Sequence, residues 1–344
     1  MKIDSAGEKM DRILVVGGGS WGTSFANYLA SQGNEVKLWV REPEVIESIE
    51  KFRENSLFLP EIILSENLYP VSGLEDEVSK ADLVIFAVPS KFIRRTFESL
   101  KDKLSGKILI SLSKGFESTS LKTISRIASD VLGKEILKNW ITISGPSFAK
   151  ELANNFPTAV VAASENGNNL KDIQEKFSSS VLRIYRSEDL IGIEVAGSMK
   201  NIMAIASGII SGLGYGYNTT ASLVTRASME ILKIGLKLGA QRETFWGLAG
   251  IGDLMLTSFG PLSRNYQLGV KIAEGEKLSD IEKKSITIAE GVETTKAIKL
   301  LSEQLGIEMP ISTKVYEILF EDKDPATALK ELMQRSLKIE WNID

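Results

Sequence analysis

Residues 12–33 read RILVVGGGSWGTSFANYLASQG, and this stretch decides the fold. It begins with the apolar, β-branched run Ile13–Val16, which is typical of a buried strand. The glycine-rich turn Gly17–Gly22 follows, and then Thr23–Ala30 has helical composition and ends before Gly33 as a C-cap. A strand that passes through such a turn into a helix predicts the first unit of a parallel α/β sheet.

The turn fits the pattern G-x-G-x-x-G, with glycines at positions 17, 19 and 22. In this pattern Gly17 permits the tight turn, Gly19 lets backbone amides approach a pyrophosphate, and Gly22 lets the helix pack closely on the strand. A loop that only turns the chain is the alternative, but it leaves the spacing of the three glycines unexplained. The turn therefore predicts dinucleotide binding.

The alternation of strand-like and helix-like segments continues through residues 1–190, which predicts an N-terminal, doubly wound Rossmann-type domain. From Gly192 onward Ala, Gly, Met, Leu and Lys dominate, which predicts an all-α C-terminal domain over residues 191–344. The seven predicted strands are Ile13–Val16, Val36–Val40, Leu83–Val88, Ile108–Leu112, Ile141–Ile143, Ala159–Ala162 and Leu182–Tyr185. The clearest helices of the second domain are Val195–Ile210, Ala221–Leu238 and Ile288–Leu305, the last with Gly306 as its C-cap.

The charge balance argues against nucleic acid and anionic membranes as partners. The 41 Lys and Arg residues face 45 Asp and Glu residues, a net charge of −4, and both signs are mixed along the chain. Met1–Arg12 is polar, and the most apolar stretch, Ile202–Leu213, is shorter than the ~20 residues that span a bilayer and contains Gly208 and Gly212. We therefore expect a cytoplasmic protein without membrane insertion.

The chain contains no histidine and no cysteine, which removes whole classes of chemistry. Disulfides, thiolate nucleophiles, Cys/His zinc sites and Ser-His-Asp triads are excluded, and we expect no metal site. A nicotinamide-dependent dehydrogenase must still protonate the oxygen formed by hydride transfer. None of the seven tyrosines has a lysine four positions later, as short-chain dehydrogenases require. Acid–base work then falls to Lys, Tyr, Asp or Glu, and a lysine is the leading candidate.

Lys200 is the strongest candidate for that acid. It lies in the otherwise uncharged stretch Val195–Leu213, at the head of the predicted central helix, and Asn201 follows it. Burial and a neighbouring cation would lower the pKa of this lysine towards the useful range, whereas a nearby carboxylate would raise it. The alternative is a lysine that extends along the helix surface to solvent.

Two segments follow predicted strands at the edge where open α/β sheets bind ligands, namely Ser113-Lys114-Gly115 and Gly145-Pro146-Ser147. Ordinary turn chemistry is their alternative explanation. Arg41 ends the second strand, where it can meet a 2′-phosphate, stack on adenine or lie in solvent, and Glu42 could partly serve NAD. The use of NADP is therefore favoured without excluding NAD.

A third segment, Gly247–Asn265, places Asp253 among glycines and small apolar residues and ends in Arg264-Asn265. Arg264 is suited to clamp a phosphate or a carboxylate. A helix cap for Asp253 and a surface ion pair for Arg264 are the alternatives.

Together and in this order, the motifs resemble those of the bacterial NAD(P)-dependent glycerol-3-phosphate dehydrogenases over nearly the whole chain. Departures are small: Ser198-Met199 precede Lys200 where a small residue followed by Leu or Val is more familiar, and Ala227 stands where Gly is typical. Neither change removes a functional group. The matching segments are Gly17–Gly22, Val88-Pro89-Ser90, Ser113-Lys114-Gly115, Gly145–Glu151, Lys200-Asn201, Gly212–Asn218, Thr225-Arg226, Gly247–Asp253, Ser263-Arg264-Asn265 and Glu290-Gly291.

The resemblance implies interconversion of dihydroxyacetone phosphate and sn-glycerol 3-phosphate with NAD(P)H, and it assigns Lys200 as the catalytic proton donor. It implies a substrate-binding set of Lys114, Gly145, Ser147, Lys200, Asn201, Asp253, Ser263, Arg264 and Asn265. With the glycine motif, the implied coenzyme-binding set is Gly17, Gly19, Ser20, Trp21, Gly22, Arg41, Lys114, Ala149, Arg264, Ile288 and Glu290.

Two alternatives stay open. A lysine-dependent dehydrogenase of the same architecture could act on a hydroxy acid, in which case Arg264 would bind a carboxylate. A non-catalytic dinucleotide sensor would have no need for a buried Lys200 beside Asn201. The sequence leaves open the coenzyme preference, the physiological direction and the oligomeric state, for which a homodimer is one option.

Overall fold

The computed structural model describes residues 12–284 and 289–340, which form two compact units. The first unit contains residues 12–88, 92–113 and 125–190. The second contains residues 191–284 and 289–340, together with the short segments 89–91 and 114–124. Lys114 thus belongs to the second unit, although a strand of the first unit ends only three residues before it.

The first unit is built on an eight-stranded sheet in the order β3-β2-β1-β4-β5-β6-β7-β8. Every neighbouring pair is parallel except β6 and β7, which run antiparallel. This doubly wound arrangement confirms the predicted Rossmann-type sheet. The strands are β1 Ile13–Val16, β2 Val36–Trp39, β3 Leu68–Val71, β4 Leu83–Phe86, β5 Ile108–Ser111, β6 Trp140–Ser144, β7 Thr158–Ala163 and β8 Leu182–Ser187.

All seven predicted strands are present, with ends that differ by at most two residues, but strand β3 is not predicted by the sequence. Its sequence LYPV contains Pro70, which lacks the backbone N–H that a central strand needs. Strand β3 lies at the edge of the sheet and pairs only with β2, so the proline is tolerated there.

Helices connect the strands of this unit, and their apolar faces bury the sheet. The core includes Val15, Phe25, Leu38 and Ile110, each fully shielded from solvent. Such dense packing fixes the ends of the strands, where ligands bind in folds of this type. The helices are α1 Ser20–Ser31, α2 Pro43–Phe52, α3 Leu74–Lys80, α4 Ser90–Leu100, α5 Ile124–Leu132, α6 Ala149–Ala153 and α7 Gly167–Phe177.

The second unit contains no strand within its described residues, and the predicted all-α architecture is confirmed. The third predicted helix begins at Glu290, with Ala289 as its N-cap residue, and its C-cap Gly306 has a φ of 64°. Ile288, where this helix was expected to start, lies outside the described residues. The helices are α8 Leu190–Gly212, α9 Tyr217–Lys237, α10 Asp253–Phe259, α11 Arg264–Ala273, α12 Leu278–Lys284, α13 Glu290–Leu305, α14 Pro310–Phe320 and α15 Pro325–Met333.

Helix α8 is the central helix of this unit, and at 23 residues it is longer than predicted. It is the one helix within residues 12–284 and 289–340 that is long and apolar enough to cross a membrane, but its apolar window is entirely buried in the protein. A buried core helix has the same composition because all of its faces contact other apolar groups.

Glycines bring α8 into direct backbone contact with α11. A Cβ atom added to Gly208 would lie 2.0 Å from the carbonyl oxygen of Tyr266, and one added to Gly269 would lie 2.1 Å from that of Ile205. No side chain fits between the two helices at this crossing. Lys200 on α8 and Arg264 at the start of α11 are therefore carried by two helices that touch through their backbones.

Candidate active site

The three glycines of the G-x-G-x-x-G pattern have different surroundings in the structure. Gly17 has a φ of 124°, and a Cβ atom there would lie 2.5 Å from the carbonyl oxygen of Ala87. A Cβ atom on Gly22 would lie 2.0 Å from the carbonyl oxygen of Gly17. At Gly19 the same construction meets no atom within 4 Å. The fold therefore requires glycine at 17 and 22, whereas the open space at Gly19 fits a group that approaches from outside.

The start of α1 is suited to bind an anion. Its N-cap residue, Gly19, has no side chain to accept hydrogen bonds, and the first turn contains no acidic residue. The amide groups of a helix N-terminus carry partial positive charge and donate readily to phosphate oxygens. Next to them, the Ser20 hydroxyl donates to the Phe58 carbonyl at 2.6 Å, and the Trp21 ring is half-buried against Phe25.

Arg41 and Glu42 follow the second strand and pair with each other. The Nη2 and Nε atoms of Arg41 donate to Oε1 of Glu42 at 2.6 and 3.0 Å. The Arg41 side chain is 69% exposed. A Cβ atom on Gly18 would lie 2.8 Å from the side chain of Val40, so the glycine turn packs directly against the end of β2.

The segment after β6 contributes three of the predicted residues to the same unit. Gly145 has a φ of 145°, which favours glycine, and the Ser147 hydroxyl donates to its carbonyl at 2.9 Å. Ala149 begins α6, and its carbonyl accepts from the hydroxyl of Ser24 on α1 at 2.7 Å. Gly145 to Ala149 are thereby tied to the helix that begins at the glycine turn.

In the second unit, Asp253 lies between two lysines. Its Oδ1 atom is 2.5 Å from Nζ of Lys200, and its Oδ2 atom is 2.8 Å from Nζ of Lys114. Asp253 is fully buried, and Lys200 is only 9% exposed, so this lysine does not extend to solvent. Lys200 lies in the middle of α8, which corrects its predicted position at the helix head; the helix begins ten residues earlier, at Leu190.

Burial and the charge of the ion-pair partner shift the pKa values of Lys200 and Asp253 in opposite directions. Burial lowers the pKa of Lys200 to about 8, because Asp253, which raises it, offsets only part of the desolvation and Lys114 lowers it further. Burial alone would raise the pKa of Asp253, but Lys114 and Lys200 outweigh it and hold that pKa below its ordinary value. The cluster therefore combines a charged aspartate with a lysine that exchanges its proton near neutral pH.

The contacts of two further residues of this region, Thr257 and Ser198, are not predicted by the sequence. The hydroxyl of Thr257 accepts from Nζ of Lys200 at 2.9 Å and donates to the Asp253 carbonyl at 2.7 Å. Thr257 stands one helical turn after Asp253, a spacing that becomes meaningful once α10 is known. The hydroxyl of Ser198 accepts from the Gly115 amide at 2.8 Å and thus fixes the loop that carries Lys114.

Arg264 opens α11 and makes no hydrogen bond or ion pair with the residues that the structure describes, so the surface ion pair considered for it is absent there. It lines a cavity of about 310 Å³ together with Lys91 and Lys271. Before it, the Ser263 hydroxyl caps the helix by accepting from the Tyr266 amide at 3.3 Å. A guanidinium at a helix N-terminus that has no hydrogen-bonded partner among the described residues is well placed to bind an anion.

Asn265 connects α11, and Asn201 connects α8, to the start of α13. The Oδ1 atom of Asn265 accepts from the Gly291 amide at 3.0 Å, and Nδ2 of Asn201 donates to Oε2 of Glu290 at 3.4 Å. Burial raises the pKa of Glu290, although Arg264 and the two lysines of the cluster oppose the shift. The Oδ1 atom of Asn265 is thus already used in a hydrogen bond within the fold, which the sequence does not predict.

The described residues contain no group of three acidic side chains that could hold a metal ion. Six of the predicted site residues are brought together by hydrogen bonds or charge interactions in the second unit, namely Lys114, Lys200, Asn201, Asp253, Arg264 and Glu290. Gly17–Gly22, Arg41, Gly145, Ser147 and Ala149 belong to the first unit. Ile288 lies outside the described residues.

Comparison with known proteins gives consistent results over both units. Family models described as the N-terminus and the C-terminus of NAD-dependent glycerol-3-phosphate dehydrogenase match residues 12–170 and 189–330. A protein of Geobacter sp. (strain M21) named glycerol-3-phosphate dehydrogenase NAD(P)+ is 44% identical over 331 residues, which cover 96% of this chain and 99% of that protein.

Solved structures agree. The crystal structure of glycerol-3-phosphate dehydrogenase from Coxiella burnetii has a TM-score of 0.90 at 33% identity, with coverage of 95% of this chain and 99% of that one. The enzyme of the same name from Saccharomyces cerevisiae has a TM-score of 0.79 at 26% identity, with coverage of 95% and 100%. The similarity therefore includes the whole succession of elements that carry the residues described above.

Proposed function

The chain belongs to the NAD-dependent glycerol-3-phosphate dehydrogenase family, a family of oxidoreductases, and we propose that it interconverts dihydroxyacetone phosphate and sn-glycerol 3-phosphate with NAD(P)H. The observation that carries the proposal is the buried Lys200, which is paired with Asp253 and has a pKa of about 8. A lysine with such a pKa can donate and accept a proton near neutral pH.

The coenzyme supplies a hydride to the substrate when it is bound. The first unit fits a dinucleotide, because Gly19 leaves open space at an uncapped helix N-terminus and Gly17 and Gly22 shape the turn below it. The residues proposed to hold the coenzyme are Gly17, Gly19, Ser20, Trp21, Gly22, Arg41, Lys114, Ala149, Arg264, Ile288 and Glu290.

Lys200 acts as the acid in ketone reduction. As C2 becomes tetrahedral, its oxygen gains negative charge, and Nζ of Lys200 donates a proton to that oxygen; in alcohol oxidation the neutral lysine takes the proton back. Asp253 orients Lys200 and Lys114 with its two oxygens, at 2.5 and 2.8 Å. The charge of Lys114 stabilises the developing alkoxide.

Arg264 and Asn265 hold the substrate phosphate at the start of α11. The guanidinium of Arg264 donates paired hydrogen bonds, and the helix N-terminus adds favourable potential. Because Oδ1 of Asn265 already accepts from Gly291, the amide nitrogen of Asn265 is the atom left for the phosphate. The rest of the proposed substrate set comprises Lys114, Gly145, Ser147, Lys200, Asn201, Asp253 and Ser263.

A spectrophotometric assay tests the function directly. NADH or NADPH oxidation is followed with dihydroxyacetone phosphate, with unphosphorylated dihydroxyacetone and with a 2-keto acid. Rapid oxidation with the phosphorylated ketone alone is expected. Turnover of the keto acid instead indicates a hydroxy acid dehydrogenase, and coenzyme binding without any turnover indicates a sensor.

We further propose that the protein works in the cytoplasm without membrane insertion and forms a homodimer. Helix α8 is buried rather than available to a bilayer, and twofold association is the commonest form of soluble oligomer. Light scattering distinguishes a dimer from a monomer of 37.7 kDa, and fractionation of cells locates the protein.

A further inference from the structure

The pair of charged residues at the end of β2 is not required by the fold. Glu42 precedes α2 as its N-cap residue, and its backbone carbonyl accepts from the Val45 amide at 3.1 Å. Its side chain makes no capping hydrogen bond. Arg41 is the only partner of the Glu42 carboxylate among the residues that the structure describes, and Oε2 accepts no hydrogen bond there. The carboxylate therefore stabilises neither helix nor sheet through hydrogen bonds.

Both residues lie beside the glycine turn within the first unit. The Gly17 amide donates to the carbonyl of Trp39, the last residue of β2, at 3.1 Å. Val40, the next residue, contacts the turn at Gly18. In doubly wound folds the residues at this strand end meet the ribose that carries the 2′-group of the coenzyme. An acid and a base therefore stand together where NAD and NADP differ.

We propose that Glu42 is a specificity residue that restrains NADPH binding by competing for Arg41; the inference rests on the proposed function. A 2′-phosphate must take the Arg41 guanidinium from Glu42 and then lie near the Glu42 carboxylate, which repels it. A 2′-hydroxyl needs no such exchange, because it can donate to the Glu42 carboxylate while Arg41 remains paired. The two adjacent side chains thus favour opposite coenzymes.

The substitution Glu42→Gln tests this inference, because it keeps the size of the side chain and removes its charge. Dissociation constants for NADPH and NADH are measured without substrate, by titration of the nicotinamide fluorescence. We expect NADPH to bind about three- to thirtyfold more tightly, as removal of one charge close to a phosphate predicts at a partly exposed site. NADH is expected to bind equally well or about two- to fivefold more weakly.

Glu44→Gln is the matched control, since Glu44 is an exposed acid in the first turn of α2 with no hydrogen bond among the described residues. It makes the same change in net charge two positions away and should leave the NADPH-to-NADH ratio within about twofold of wild type, as an exposed charge is well screened. A Glu42→Gln protein whose two dissociation constants change by the same factor overturns the inference, because a structural role would produce that result.

The double variant Arg41→Gln with Glu42→Gln provides a second measurement. If Glu42 acts by competing for Arg41, the gain in NADPH affinity from Glu42→Gln is smaller when Arg41 is absent. An equal gain in both backgrounds contradicts the competition. If the wild-type protein binds neither coenzyme, the proposed function itself is refuted. That outcome differs from an unchanged ratio of the NADPH and NADH dissociation constants in Glu42→Gln, which refutes only the role of Glu42.

Discussion

The glycine turn of the first unit and the lysine cluster of the second unit are encoded in the sequence in different ways. Gly17–Gly22 is contiguous, and its requirements are steric: a Cβ atom at Gly22 meets a carbonyl oxygen at 2.0 Å. The cluster of Lys114, Lys200 and Asp253 joins distant positions, and its properties are electrostatic. A steric requirement is visible in the residue type itself, whereas an electrostatic one depends on which charges the fold brings together.

Removal of Lys200 should have the largest effect of the variants considered, because it should lower turnover and leave coenzyme binding by the glycine turn intact. Lys200→Ala is expected to lower turnover by about two to four orders of magnitude, because general acid catalysis is lost. Coenzyme affinity should stay close to wild type, since the glycine turn is unchanged. Stopped-flow assays and coenzyme titration measure the two effects. Lys237→Ala, at an exposed position near the end of α9, is the control and should keep full turnover. A Lys200→Ala protein that retains more than about a tenth of its turnover removes this lysine from the mechanism.

Arg264 tests whether the second unit recognises a phosphate. Arg264→Ala should lower kcat/KM for dihydroxyacetone phosphate by about a hundredfold, with a loss in kcat as well, because the phosphate contact also positions C2. Arg264→Lys keeps the charge but loses the paired hydrogen bonds, so it should also be impaired. The measurement compares kcat/KM for the phosphorylated and unphosphorylated ketones. The control is Lys271→Ala, at a residue that lines the same cavity. An Arg264→Ala enzyme that prefers the phosphorylated ketone as strongly as wild type does contradicts the assignment.

Gly19 tests the first unit in the same way. Gly19→Ala should leave the melting temperature unchanged, because no atom lies within 4 Å of the added Cβ, yet weaken both coenzymes by about tenfold by blocking their approach. Gly22→Ala is the contrasting variant and should destabilise the folded protein itself. Calorimetry and coenzyme titration distinguish these outcomes. Normal coenzyme affinity in Gly19→Ala would mean that the turn only shapes the chain.

Arg41 gives a selective effect on one coenzyme. Arg41→Asp should weaken NADPH by at least about tenfold more than NADH, because it removes a cation and adds repulsion to the 2′-phosphate. The ratio of the two dissociation constants is the quantity to compare with wild type. Equal losses for both coenzymes would indicate that Arg41 only stacks on adenine or lies in solvent.

The smallest effect is the pH dependence of the cluster. Because the pKa of Lys200 is about 8, ketone reduction should be about half as fast at pH 8 as on the acidic plateau and should fall further above it. Alcohol oxidation requires the neutral lysine, so its rate should rise over the same range. Asp253→Asn removes the charge that raises this pKa, and the midpoint should move to lower pH. If the rates of ketone reduction and alcohol oxidation changed with pH in the same direction, Lys200 would not be the acid–base group.

The sequence predicts the regions built from local patterns. Seven strands and the glycine turn follow from β-branched runs and glycine spacing, while strand β3 escapes because Pro70 is acceptable only at an edge that the sequence does not identify. Lys200 is predicted because histidine, cysteine and the Tyr-x-x-x-Lys pattern are missing and because it lies in an otherwise uncharged stretch. Its partner Asp253 lies 53 positions away, so the balance that sets the pKa appears only in the fold.

Thr257 and Ser198 illustrate the remaining limit. The Thr257 hydroxyl bonds to Lys200, and the Ser198 hydroxyl bonds to the amide of Gly115, the residue after Lys114, yet serine and threonine are common in helices of every kind. Thr257 acquires meaning from its position one turn after Asp253, and Ser198 from the Gly115 amide that reaches it from another segment. Residue type alone carries no signal when the partner is a backbone amide or is fixed by tertiary contact.

The crossing of α8 and α11 has a consequence for the enzyme as temperature rises. Backbone atoms at Gly208 and Gly269 cannot rotate apart as flexible side chains do, so thermal expansion of the surrounding packing changes the spacing of these two helices very little. The span between Lys200 on α8 and Arg264 at the start of α11 should therefore change little with temperature. Inactivation on warming should therefore follow the unfolding of the second unit rather than a gradual loosening of its substrate geometry.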